Sequence, residues 1–165
     1  MGENMTDTRS IKIYMGADHG GFEMKNQIKA HLESQGYDVS DFGTHSKEAV
    51  DFPDYAYLVT QAVTGNRAGG GHGVGIVIDS IGQGSAVVAN KVPGIRAVVA
   101  MDAFSVKSSR EHTNANVLCL GGAWLGMGLA KDLVDLWLKT PYAGGRHQRR
   151  LDKITQIEAQ TMKVD

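Results

Sequence analysis

Cysteine is almost missing from this chain. One residue, Cys119, stands among the 165, which excludes an intramolecular disulfide and any zinc site built from cysteine thiolates. The expected compartment is a reducing cytoplasm. Net charge is scarce as well: 17 Lys and Arg against 18 Asp and Glu leave −1. No long-range field therefore draws the chain to nucleic acid or to an acidic membrane, and any anionic partner is expected to be small. No apolar run approaches the roughly 18 to 20 residues of a membrane span, and the polar start "MGENMTDTRS" lacks the apolar segment of a signal peptide. Residues 1–10 read as a flexible tail.

What is present belongs to a soluble globular protein. Apolar residues make up 42% and charged residues 21%, in a length suited to one domain, residues 11–165. Short β-branched runs alternate with stretches whose apolar residues recur at three and four positions. "IKIYMGA", "YDVSDF", "VGIVID", "IRAVVAM" and "NVLCLG" read as five strands. Met24, Ile28 and Leu32 form one helical stripe, closed by Gly36, and Tyr55, Leu58, Val59, Ala62 and Val63 form another. Short helices are expected after Gly84 and Ala103, and a longer one carrying Leu125, Leu129, Leu133, Leu136 and Trp137. A last helix at about 146–162 shows Leu151, Ile154 and Ile157 on one side. Strand then helix, repeated, implies right-handed crossovers and a doubly wound α/β domain with a parallel sheet. In such sheets ligands bind beyond the carboxyl ends of the strands, so the strand-to-helix loops are the segments to read for chemistry. "GNRAGGGHG" at 65–73 reads as a glycine-rich surface loop.

Four segments carry candidate chemistry. "GADHGG" places Asp18 and His19 at the end of the first strand, either as cap and exposed imidazole or as substrate contacts. "DSIGQGS" puts Asp79 at the end of a buried strand, where Gly82 and Gly84 free the backbone to aim N–H groups at an anion or enolate. The bland alternative makes Asp79 a helix cap supported by Ser85. "SSREHTNANVLCLGG" brings in His112, able to exchange protons near neutral pH. In "GGRHQRR", Arg146 and Arg150 lie four apart with His147 between them, which is either a phosphate clamp or a solvated basic face.

Taken in order and spacing, "GADHGGFEMK", "IGQG", "ANKVPGIRA", "SREHTNANV" and "GGRHQRR" resemble the family of ribose-5-phosphate isomerase B and the galactose-6-phosphate isomerase subunits, from about residue 11 to about residue 158. The resemblance implies a Rossmann-like three-layer α/β/α sandwich with a five-stranded parallel sheet and a C-terminal helix. It implies a cytoplasmic aldose–ketose isomerase of a phosphorylated sugar in pentose phosphate metabolism, using no metal or other cofactor, with sites between the subunits of a homodimer or homotetramer. Asp18, Asp79 and His112 then fall at catalytic positions. His19, Gly82, Gly84, Ser85, Thr113, Arg146, His147 and Arg150 fall at substrate-binding ones: the arginines and His147 on the phosphate, the glycine backbone on the enediolate. Such a reaction lifts a proton from one carbon and returns it to the next while an oxyanion is held, and remote phosphate contacts supply positioning energy.

The chain departs from the family pattern at the proton-transfer end. Asp79 stands where many members have a proton-shuttling cysteine, Ser85 where others have glutamate, Ile81 where Thr or Ser is frequent, Thr113 where asparagine is usual, and Ala123 where an arginine is often found. Asp79 has three readings: the base itself, a mark of a changed sugar, or a mark of an A-type galactose-6-phosphate isomerase subunit that pairs with a cysteine-bearing paralogue. The leading expectation is an active isomerase, ribose 5-phosphate to ribulose 5-phosphate, with Asp79 as base. The rival is a noncatalytic phosphosugar-binding subunit in a hetero-oligomer. A nucleotide-binding domain ranks behind both, because the first loop lacks the dinucleotide glycine fingerprint.

Overall fold

A computed structural model describes residues 11–162; the expected tail, 1–10, lies outside the described residues. The elements run β1 (Lys12–Ala17), α1 (Phe22–Ser34), β2 (Asp38–Asp41), α2 (Phe52–Ala68), β3 (Val74–Asp79), α3 (Gln83–Ala89), β4 (Ala97–Val99), α4 (Ala103–Thr113), β5 (Val117–Gly121), α5 (Met127–Lys139), a 3-10 turn (Gly145–His147) and α6 (Gln148–Thr161). The five strands form one parallel sheet in the order β2-β1-β3-β5-β4. This is the expected Rossmann-like α/β/α sandwich.

Strand alternation sends side chains to two cores. Ile13, Met15, Ile76, Ile78, Leu118 and Leu120 face α1, α4 and α5, where Trp137, Ile28 and Leu32 are fully buried. Val77, Val117 and Cys119 face α2 and α3, against Ala56, Val59, Val63 and Ala89. The α2 layer lies close because Gly75 has no side chain; a Cβ there would sit 2.7 Å from a Val59 methyl.

Two apolar stripes do not pack as their period predicts. In α2 the buried face is Ala56, Val59, Thr60 and Val63, and Leu58 turns outward. In α6 only Leu151 is buried, while Ile154 and Ile157 remain exposed beside the β4 edge. Among the described residues no helix is long and apolar enough to cross a membrane.

The chain leaves β1 toward β2 and leaves β3 toward β4, on the other side of the sheet, so the topological switch point lies between β1 and β3. Register sets Ala17 against Ile78 and Asp79 against Gly121. Asp18 and Asp79 therefore emerge side by side at the carboxyl end.

Candidate active site

The Asp18 loop turns sharply into α1. Asp18 is 8% exposed. Its Oδ1 accepts the N–H groups of Gly20 at 2.9 Å and Gly21 at 3.2 Å, and no protein donor among the described residues reaches its Oδ2. Burial raises the Asp18 carboxyl above its ordinary value; the two N–H bonds oppose this, and the negative charge of Asp79 reinforces it. His19 is exposed, and its Nδ1 accepts the Val50 N–H at 3.2 Å, which leaves Nε2 as the outward N–H. It lines a pocket of about 340 Å³ with Gly20, Glu23, Lys47 and Gly122.

Asp79 is more enclosed and differently used. Its Oδ1 accepts from the N–H of Ile81 at 2.9 Å and from that of Gly82; its Oδ2 accepts the Ser85 N–H at 2.8 Å and the Ser85 hydroxyl at 2.5 Å. Gly82 takes φ of +83°, open to glycine, which folds these donors around the carboxylate. Four donors from this loop and the first turns of α3 converge on one side chain. The N–H groups of Gln83 and Gly84, in the first turn of α3, have no protein acceptor among the described residues. Trp124 closes the loop from above, its indole N–H donating to the Ile81 carbonyl at 3.3 Å. Cys119 does not stand in for a catalytic thiol: burial, with the charge of Asp79 behind it, pushes its thiol up and keeps it protonated.

The other candidates sit at the opposite end of the sheet. α4 runs back from β4, so His112 and Thr113 arrive where β5 begins, and the backbone bond from Ala143 N–H to the Glu111 carbonyl ties the last loop beside them. His112 and His147 stack with ring centroids 4.4 Å apart. Burial, then His112, Arg146 and Arg150, lower the His147 pKa, which favours its neutral form. Arg146 and Arg150 are exposed at the start of α6, whose first turn carries no acidic residue; cations there oppose the helix dipole, and an anion relieves both. Thr113 gives its hydroxyl to the Ser109 carbonyl at 2.6 Å.

The chain thus gathers Asp18, His19, Asp79, Gly82, Gly84 and Ser85 at one end, and His112, Thr113, Arg146, His147 and Arg150 at the other. A six-residue strand separates them, about 20 Å. No single copy brings the two groups onto one sugar. Reading the sequence loop by loop missed this separation, and it also missed Trp124 and a group of arginines, Arg67, Arg96 and Arg110. Among the described residues no group of three or more His, Cys, Asp or Glu is placed to hold a metal.

Known proteins resemble this chain along nearly its whole length. The Ribose/Galactose Isomerase family profile matches residues 13–154. Ribose-5-phosphate isomerase B of Escherichia coli is 47% identical over 147 residues, 89% of this chain and 96% of that one. The structure of Clostridium thermocellum ribose-5-phosphate isomerase B superposes with a TM-score of 0.85 at 47% identity, covering 90% of this chain and 98% of that one. The Mycoplasma genitalium enzyme, solved with bound ribulose-5-phosphate, gives 0.86 at 37% identity, covering 92% and 99%. Sequence and fold place the chain in the Ribose/Galactose Isomerase family.

Proposed function

We propose that the chain is a cytoplasmic aldose–ketose isomerase of a phosphorylated sugar, ribose 5-phosphate to ribulose 5-phosphate, in a site completed by a second copy of itself. The observation that carries this reading is the Asp18 carboxylate, half engaged by its own loop, beside the open N–H groups of α3. Its free Oδ2 is the group with a lone pair to spare. It takes the proton from C2 of the open aldose and returns it to C1, and its raised pKa suits it to do both. The Gln83 and Gly84 N–H groups hold the developing enediolate oxygen. Arg146, His147 and Arg150 of a second copy hold the phosphate, and His112 of that copy lends and takes the ring-opening proton. Asp79 is assigned here a positioning role: it shapes the nest from beneath, with Ser85 as its anchor.

The saturation of Asp79 also supports a competing reading, an A-type subunit whose nest is filled by its own carboxylate and whose base comes from a paralogue. Turnover by the purified chain on ribose 5-phosphate, galactose 6-phosphate and allose 6-phosphate separates the two. Turnover lost in Asp18→Asn supports the isomerase reading. Phosphosugar binding without turnover on any of the three supports the partner-dependent one.

A further inference from the structure

We propose that a pocket of about 330 Å³ at the amino-terminal edge of the sheet, walled by Arg67, His72, Arg110, Asn114, Lys139 and Tyr142, is a second anion site that takes a small phosphorylated metabolite. It is separate from the clamp at Arg146 and Arg150. Arg110 and His112 are two apart on α4, so about 200° of helix rotation sends them to opposite flanks. His112 faces His147, while the Arg110 guanidinium lies over the Trp137 ring, 5.2 Å from its centroid.

Among the described residues no carboxylate lines this pocket. Arg110 is held by neutral carbonyls, Nε on Thr140 at 3.3 Å and Nη1 on Ala115 at 2.5 Å. Arg67, Arg110 and Lys139 form no ion pair among the described residues. The ends of α2, α4 and α5 meet here, with Arg67, Arg110 and Lys139 each in a last turn. Helix dipoles supply about half a negative charge apiece, so among the described residues roughly half of the positive charge is left without compensation. Burial first, then the charges of Arg67 and Arg96, pull the Arg110 guanidinium down to about 10.

Three cations approaching from three helices, with Asn114 in the same wall, suit a tetrahedral dianion better than a planar carboxylate. The volume is at the small end of ligand pockets. Arg67 closes α2, which runs through residues 65–68 of the expected glycine-rich loop, and His72 stands in the short connection to β3; neither has a part in the isomerase reading.

The test titrates inorganic phosphate into the Arg146→Ala/Arg150→Ala chain by calorimetry, which needs no turnover and so stands or falls apart from the isomerase reading. One phosphate per chain is expected to remain, weakened about tenfold or more by Arg67→Gln and again by Lys139→Gln. Lys139 is exposed, so its change leaves the fold in place. No binding to the clamp-free chain, or binding indifferent to both changes, overturns the proposal.

Discussion

Ser85 holds Asp79 twice, donating its backbone N–H at 2.8 Å and its hydroxyl at 2.5 Å to the same carboxylate oxygen. With Ile81 and Gly82 on the other oxygen, the loop after β3 is folded around a negative charge rather than left open for one. That relationship assigns different work to the two aspartates of the site.

Asp79→Asn turns an NH2 group toward one of those donor pairs, leaving buried donors facing each other. The expected cost is about 2 to 4 kcal/mol of stability, together with about a hundredfold loss of kcat as the nest loses its shape. Thermal melts and turnover measured on the same preparation check this. A variant as stable as the parent but inactive would return Asp79 to the role of base.

Asp18→Asn keeps an oxygen for the Gly20 and Gly21 N–H groups, so the fold is expected to survive while kcat falls about a hundredfold or more. The stability has a defined pH dependence. A carboxyl raised by burial binds its proton more tightly folded than unfolded, so wild-type stability falls as pH rises from about 4 through the folded value. Above that window Asp18→Asn is as stable as the parent or more so, and below it any such gain disappears. Melting curves of both proteins across acid pH give the comparison, and the acid limb of kcat should lie above the usual carboxylate range.

On the proposed reading, Arg150→Ala removes one charged partner from the phosphate and leaves the base untouched. KM is expected to rise about ten- to a hundredfold with a smaller change in kcat, and the preference for a phosphorylated over a plain sugar to shrink. Steady-state kinetics on both sugars measure it. An unchanged phosphate preference places the phosphate elsewhere.

How legible this was from sequence differs by element. The run "VGIVID" announced β3 because both of its faces are buried, and Gly36 marked the end of α1 by its φ of +89°. The stripe on α6 was visible as a stripe, yet Ile154 and Ile157 stay exposed beside the β4 edge, and periodicity does not say what a face meets. Asp79 was legible as a loop residue at a strand end. That its oxygens are filled by Ile81, Gly82 and Ser85 depends on a left-handed turn at Gly82, which composition does not specify. The separation of His112 from Asp18 follows from α4 running back along the sheet, a consequence of strand order. Arg67 and Arg110, far apart in sequence, meet only because α2 and α4 end at the same edge.

On the proposed reading, each site needs the carboxyl end of one chain's sheet and the amino end of another's. Asp18→Asn and Arg146→Ala/Arg150→Ala chains, each nearly inactive alone, are unfolded together, refolded as a one-to-one mixture and assayed on ribose 5-phosphate. Random pairing into dimers predicts recovery of about a quarter of the wild-type rate, since half of the dimers are mixed and each mixed dimer holds one intact site. A mixture no more active than the average of its two components, with mixed dimers shown to have formed, would contradict the account.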